Sequence, residues 1–268
     1  MTNPDQQNNL RSQLFQQRDD VINQLLEKTP GLWRASGQKA EQVAARPQSS
    51  AACSAYTRHG DLFADLPDST IAGQNSTAAQ SSGYPALDAL LPHGGWPERG
   101  LVELICPHKG IGELQLLLPL LRERSHSQQS ILWIAPPYPL HGKALHEAGI
   151  NTRNSFVIPS QTSCNQALWS IEKALQSLEC GLVLAWQNWL SARVIRRLQL
   201  AANEGGTLGI LFHQRPAANS PATLQLQLSS PVSRINDVQT NRERCIDVML
   251  KKARGSYRQG KITLKLPC

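Results

Sequence analysis

The chain has 268 residues, 40% of them hydrophobic, so it can bury one substantial core. No apolar run approaches the roughly 20 residues of a membrane-spanning helix, which excludes an integral helical membrane protein. The start of the chain lacks an apolar signal segment, and we therefore expect a cytoplasmic protein without membrane contact.

The amino-terminal third predicts two segments ahead of the main domain. Residues 8–28 carry apolar side chains at loosely helical spacing, and Pro30-Gly31 ends the run. This amphipathic helix either docks on the main domain or binds a partner. The stretch that follows, from about Arg34 to Ser82, has few large apolar residues, which is typical of a flexible linker. The predicted organisation is a leader (1–33), a linker (34–83) and a core domain (84–268).

The core domain predicts an α/β fold. Continuous apolar runs indicate strands buried on both faces, and hence a mostly parallel sheet covered by helices. The predicted strands are Leu101–Cys106, Ile131–Ala135, Phe156–Ile158, Leu182–Trp186 and Leu208–Phe212. Helices are predicted near 112–124, 141–148, 164–178 and 191–203, with a kink at Pro119 in the first.

After Pro216 the apolar residues alternate with polar ones, which predicts half-exposed antiparallel strands at the sheet edge. Residues 241–268 hold eight Lys or Arg and two acidic residues, a net charge of +6. Such a segment indicates DNA or an acidic protein surface as partner, or only a solvated hairpin. The candidate contact residues are Lys251, Lys252, Arg254, Tyr257 and Arg258.

The segment ICPHKGIGELQLLL (Ile105–Leu118) has the strand, glycine loop and helix of a phosphate-binding loop. A working loop needs a Lys and a Ser or Thr where this chain has Gly112 and Glu113. At the first turn of the helix, the Glu113 carboxylate would occupy the anion site itself. The loop Gly110–Glu113 is thus interpreted as a degenerate, structural one, and a nucleotide site using another cation is the alternative.

The sequence offers little support for a metal site or a hydrolase active site. Six scattered cysteines and seven histidines show no zinc-ligand spacing, and no G-x-S-x-G segment is present. We expect no catalytic residue, no cofactor and no metal. The tryptophans are predicted to be packing residues and not a base-stacking platform, because their sequence neighbours are apolar. They are Trp96, Trp133, Trp169, Trp186 and Trp189.

The segment LDALLPHGGWPERGLVE (Leu87–Glu103) resembles the lead-in to a RecA-type core, where an L-D-x-x-L…G-G-x-P-x-G-x-[IV]-[VT]-E pattern precedes the phosphate loop. Four further segments over about 84–267 resemble the same core in the same order. This resemblance implies a RecA-like P-loop NTPase-type core. The departures are functional: Pro136-Pro137 follows the strand that should lead to a catalytic acid, and Trp186 or its neighbour stands where the Walker-B acid is expected. The resemblance therefore implies a protein that is not an enzyme.

Within the RecA-like proteins, the pattern resembles that of the ImuA family, with SulA proteins as relatives. The matches include HGGWP (His93–Pro97), GIGELQLLLP (Gly110–Pro119), WIAPPY (Trp133–Tyr138) and RRLQLAANEGGTLGILFHQRP (Arg196–Pro216). The leader segment INQLLEKTPGLWRAS (Ile22–Ser36) also resembles ImuA. The SulA resemblance is shorter, covering roughly 101–228.

The ImuA resemblance implies a non-catalytic accessory protein of SOS-induced, error-prone translesion DNA synthesis. Its implied partners are ImuB with an error-prone polymerase assembly, and RecA. The first alternative is a SulA-type inhibitor of cell division that binds FtsZ during the SOS response. The second alternative is an active RecA-like ATPase.

Overall fold

The computed structural model describes residues 79–188, 190–217, 219–231 and 244–267, together with Leu25 and the backbone of Trp33–Arg34. Of the predicted leader (1–33) and linker (34–83), the structure describes Leu25, the backbone of Trp33–Arg34 and the last five linker residues, 79–83, and the rest lies outside the described residues. Leu25 is helical and buried in one of the two core clusters, and strand β1 (Trp33–Arg34) pairs with the main sheet. Leu25 and the backbone of Trp33–Arg34 therefore contact the core domain.

A nine-stranded sheet forms the centre of the fold, in the order β1-β6-β5-β7-β8-β4-β9-β10-β11. Six strands that are adjacent in the sheet, in the spatial order β6, β5, β7, β8, β4 and β9, are parallel to one another. The mostly parallel sheet that the sequence predicts is therefore confirmed. The strands are β4 (Gly100–Ile105), β5 (Ser130–Ile134), β6 (Ser155–Ile158), β7 (Cys180–Trp186), β8 (Leu208–His213) and β9 (Leu224–Ser229).

The antiparallel edge is also confirmed. Strands β10 (Arg244–Ala253) and β11 (Gly260–Leu266) extend the sheet beyond β9, and alternate residues of both point into the core. Strand β11 runs parallel to β4, because two antiparallel pairings separate it from β9. A separate short pair, β2 (Ala79–Gln80) and β3 (Trp96–Pro97), lies ahead of β4.

Helices cover both faces of the parallel part. Their bounds are α1 (Pro85–Leu90), α2 (Glu113–Leu116), α3 (Leu118–Ser125), α4 (Gly142–Glu147), α5 (Cys164–Gln176) and α6 (Ala192–Glu204). Ser163 and Ser191 cap α5 and α6, each accepting a backbone N–H three residues on. The kink predicted at Pro119 is a full break at Leu117, since proline cannot donate the hydrogen bond that would continue α2.

The core is divided by the sheet into two apolar clusters. One cluster lies beneath α1 to α4 and reaches the inner side of β9, β10 and β11. The other lies beneath α5 and α6. Among the described residues, none of the helices has the length and apolar character required to span a bilayer.

Candidate functional site

The loop after β4 is closed onto itself by an acidic side chain. Gly110 and Gly112 have φ of +76° and +102°, a left-handed backbone that glycine adopts without strain. The curled loop directs the Gly110 N–H toward Glu113, whose Oε1 accepts it at 3.0 Å. Glu113 is buried at the first residue of α2. A carboxylate thus lies where a phosphate-binding loop presents its backbone N–H groups to an anion.

The end of β11 packs against the same loop. A Cβ atom added at Gly112 would lie 2.5 Å from Cδ1 of Leu266, so no side chain fits there without a shift. The Gln115 amide donates to the Pro267 carbonyl oxygen at 3.5 Å, which continues this contact. The position at which a phosphate-binding loop carries its lysine is therefore filled by the carboxyl-terminal strand, and Lys109 is exposed on the other side of the turn.

A nucleotide titration checks this geometry. Because Glu113 presents a negative charge and Gly112 provides no cation, we expect no heat of binding when ATP and Mg²⁺ are titrated into the chain. Glu113→Thr alone should behave in the same way, since the lysine is still missing. Isothermal titration calorimetry measures both. Micromolar binding with turnover would instead support the ATPase alternative.

The cysteine that precedes the loop is not a reactive thiol. Burial raises the pKa of the Cys106 thiol well above its ordinary range, and the nearby Glu113 carboxylate raises that pKa further. The thiolate is the nucleophilic and metal-binding form of cysteine, so Cys106 remains a protonated packing residue at neutral pH. Among the described residues, no group of three or more His, Cys, Asp or Glu side chains could hold a metal ion.

Three aromatic rings stack across the sheet beside the loop. The ring centroids of Trp133 and Trp186 are 6.3 Å apart, and those of Trp186 and Phe212 are 4.3 Å apart. Trp133 and Trp96 are fully buried, whereas Trp186 is half-buried. Trp186 ends β7, where a Walker-B strand would carry its acid, and there it extends the apolar core. Trp169 is half-buried, and Trp189 lies outside the described residues.

A buried polar cluster lies below the loop, and the sequence did not reveal it. Glu103 is 0% exposed and His213 is 4% exposed, with 3.3 Å between Glu103 Oε1 and His213 Nε2. These two atoms are within ion-pair distance, but they are not aligned for a hydrogen bond. The Gln225 amide donates to Glu103 Oε2 at 3.2 Å. The sequence gives no sign of this pairing, because Glu103 and His213 are far apart in sequence and meet only through the pairing of β4 with β8.

The loops at the carboxyl ends of the parallel strands form an exposed surface beside these buried groups. The loop 106–112 between β4 and α2, which we call the phosphate-type loop, is exposed at 107–110, and Tyr138 is 63% exposed in the proline-rich turn after β5. His141 and Lys143 at the start of α4 are also exposed. We call residues 107–110, Tyr138, His141 and Lys143 the carboxyl-edge surface. An exposed aromatic ring among polar and basic neighbours is the composition of a protein-binding surface.

The predicted basic contact residues lie near the amino ends of the parallel strands, opposite the carboxyl-edge surface. Strand β10 runs against β9 and ends at Ala253, opposite the first residue of β9. The turn that follows is closed by a bridge between Ala253 and Ser256, and Gly255 has a φ of +74°. The five predicted residues lie on this part of the hairpin, and all are exposed: Lys251, Lys252, Arg254, Tyr257 and Arg258. The length of β4, roughly 20 Å, separates them from the phosphate-type loop.

The acidic residue Asp247 on the β10–β11 hairpin is bonded to two side chains of the neighbouring strand. Asp247 accepts hydrogen bonds from Lys261 Nζ at 2.7 Å and from Thr263 Oγ1 at 2.6 Å. These two bonds, Lys261 first, hold the pKa of the Asp247 carboxyl below its usual value. A carboxyl whose pKa is lowered by folding stabilises the folded state above its unfolded pKa, and this stabilisation is lost as the pH falls through the folded pKa.

Asp247→Asn is therefore expected to lower the free energy of unfolding at neutral pH by about 1 kcal/mol or less, since Lys261 is half-exposed. The difference from the unmodified chain should shrink as the pH falls below about 4. Urea unfolding at neutral and acidic pH measures this. A difference that stays constant across the pH range would show that the charge of Asp247 is not responsible.

Comparison with known proteins shows which family the middle of the chain resembles. The family model for the cell division inhibitor SulA matches residues 102–209. A cell division inhibitor SulA of Photorhabdus laumondii is 30% identical over 124 residues, which cover 46% of this chain and 68% of that protein. The chain belongs to the SulA family. The SulA protein of Serratia marcescens is 29% identical over 137 residues, covering 49% of this chain and 81% of the relative.

A solved structure is also similar to part of the chain. The crystal structure of SulA from Pseudomonas aeruginosa is 26% identical, with a TM-score of 0.36, and the match covers 42% of this chain and 96% of that one. The comparisons support the cell-division-inhibitor alternative better than the translesion-synthesis interpretation. The SulA-matching segment includes the phosphate-type loop and the carboxyl-edge surface, whereas the basic hairpin lies outside it.

Proposed function

We propose that this chain is a non-catalytic inhibitor of cell division that acts in the cytoplasm by binding FtsZ during the SOS response. The observation that carries the proposal is the relationship of residues 102–209 to cell division inhibitors. The match covers 68% of the Photorhabdus relative and 81% of the Serratia relative, so most of the length of these inhibitors corresponds to part of this chain. The inhibitory surface is therefore assigned to this segment.

The absence of catalysis is supported by the closed loop. The Gly110 N–H is already bonded to the Glu113 carboxylate, and Leu266 would have to move to admit a side chain at Gly112. Phosphoryl transfer depends on cations that neutralise the phosphates, and the loop offers a carboxylate instead. Inhibition by contact alone is consistent with this chemistry, because a binding protein needs a stable surface and no reaction.

We assign FtsZ binding to the carboxyl-edge surface. It lies wholly within the SulA-matching segment and contains Tyr138, the exposed tyrosine of that segment. The turn Pro136–Pro139 holds this ring at little cost in conformational entropy, since each proline fixes its own φ. Tyrosine on a rigid loop is typical of the side chains that dominate binding energy at interfaces.

Overproduction of the chain tests the proposal directly. Cells should elongate without forming septa, and the purified chain should reduce the amount of FtsZ polymer that sediments in the presence of GTP. Normal septation together with unchanged FtsZ polymerisation would overturn the proposal. A variant that lacks a surface residue of the hairpin, such as Tyr257→Ala, serves as a control that should still inhibit.

We also propose that the domain is a RecA-like P-loop-type core that has lost its nucleotide chemistry. Support comes from the strand-turn-helix unit that follows β4, a strand flanked on both sides by β8 and β9 from later in the chain. A glycine loop that leads from such a central strand into a helix is the arrangement of phosphate-binding loops. In this chain the arrangement is retained without the groups that hold a triphosphate.

A second candidate function is the accessory role in translesion synthesis, with ImuB, an error-prone polymerase and RecA as partners. It is favoured by segments that resemble ImuA and lie outside the SulA-matching part. Trp96 of the HGGWP segment is fully buried, and β9 pairs directly with β4, so these segments are integral to the domain. Co-purification from damaged cells tests the choice, because recovery of ImuB without FtsZ would favour this second function.

A further inference from the structure

We propose that the tip of the β10–β11 hairpin binds single-stranded nucleic acid, with a base stacked on Tyr257 and phosphates held by the surrounding cations. We call Lys251, Lys252, Arg254, Tyr257 and Arg258 the hairpin tip. This activity goes beyond inhibition of cell division, because the hairpin tip lies outside the SulA-matching segment and at the opposite edge of the sheet from the carboxyl-edge surface.

The cations of the hairpin tip are oriented by neutral partners. Lys252 Nζ donates to the Ser220 carbonyl oxygen, and Arg258 Nη1 donates to the Ala89 carbonyl oxygen at 3.3 Å. A carbonyl group orients the side chain and carries no full negative charge, so the positive charges are not cancelled. Two of the four cations are therefore held in position on either side of the turn before any ligand arrives, which lowers the entropic cost of binding.

The single acidic residue between 244 and 267, Asp247, does not offset this charge. Its carboxylate is already bonded to Lys261 and Thr263 along the strands. The hairpin tip thus presents four positive charges from a short stretch of chain. A concentrated positive patch attracts the phosphate backbone of a nucleic acid and releases its counterions.

Tyr257 distinguishes between the classes of polyanion. Its side chain is fully exposed, at 105%, between Arg254 and Arg258 in sequence. In a single strand the bases are free to leave the stack, and every base has a π-face that can lie on an aromatic ring. Duplex DNA keeps its bases stacked on one another, and an acidic protein surface would use the cations alone. An exposed ring among cations is therefore best matched by a single strand.

Fluorescence anisotropy with labelled oligothymidylate of about 20 nucleotides tests the proposal on the full chain. Affinity should fall steeply between about 50 and 200 mM salt, as expected for phosphate contacts. Tyr257→Ala should weaken binding by about 5- to 150-fold, the range for loss of one base–aromatic stack. Tyr257→Phe keeps the ring and should bind like the unmodified chain. Arg254→Gln should reduce the salt slope by about 0.7, the value for one phosphate on a single strand.

Duplex DNA and polyglutamate provide the other arms of the experiment. Duplex should bind more weakly than oligothymidylate and should be insensitive to Tyr257→Ala. Polyglutamate should not displace the oligonucleotide. The proposal would be overturned if Tyr257→Ala bound oligothymidylate as the unmodified chain does, or if polyglutamate competed equally well. Tyr138→Ala is the matched control: its ring is exposed at the other edge, so its DNA affinity should be unchanged whether or not FtsZ binding is confirmed.

Discussion

Replacing Glu103 with alanine is expected to lower the free energy of unfolding by about 3 kcal/mol, the upper end of the cost of leaving buried polar groups without their partner. Glu103 is completely buried between His213 and Gln225. Its removal leaves the imidazole and the amide without their carboxylate, in a place that water cannot reach. The variant also loses the contact that joins β4 to the neighbouring strands β8 and β9 at the end nearest the phosphate-type loop.

Urea unfolding followed by tryptophan fluorescence measures this loss. The matched control replaces all three side chains together, Glu103→Leu, His213→Leu and Gln225→Leu. That variant should be much more stable than Glu103→Ala, because replacing a whole buried polar cluster with apolar residues leaves no group unpaired. If Glu103→Ala and the triple variant were equally destabilised, lost packing volume and not the orphaned polar groups would be the cause.

The sequence predicted the sheet well because burial of a strand is a local property. Strands such as β4 and β8 are runs of apolar residues, and their composition alone reveals that both faces are covered. The alternation in β9, β10 and β11 likewise reveals one buried and one open face. The short pair β2 and β3 was missed, since two-residue strands that include a proline carry no periodic signal.

The candidate sites differ in the same way: a site built from contiguous residues can be predicted from the sequence, and a site built by strand pairing cannot. The unusual residue in the phosphate-type loop, Glu113, is visible in sequence because the expected motif is contiguous. The partnership of Glu103 with His213 is not visible, because the residues are brought together only when β4 pairs with β8. The position of the hairpin tip opposite the loop also depends on strand direction, which follows from the pairing of β9 with β10 and not from charge.

The other large effect is expected on binding. Tyr138→Ala should weaken the affinity for FtsZ by about 30- to 1000-fold, the range in which truncation of an interface hot spot costs about 2–4 kcal/mol. Because the ring is 63% exposed, the substitution should leave the stability of the chain unchanged within about 0.5 kcal/mol. A loss of binding would then report the interface and not unfolding. Overproduction of this variant should no longer block septation.

Two exposed tyrosines of the described part of the chain make the result interpretable. Tyr138 lies in the SulA-matching segment and Tyr257 lies outside it, so each substitution is the control for the other. Tyr138→Ala should lose inhibition of FtsZ and retain binding to oligothymidylate, whereas Tyr257→Ala should weaken binding to oligothymidylate and retain inhibition of FtsZ. Normal FtsZ inhibition by Tyr138→Ala would exclude the carboxyl-edge tyrosine as a hot spot. Loss of both activities in either variant would mean that the two edges of the sheet do not act independently.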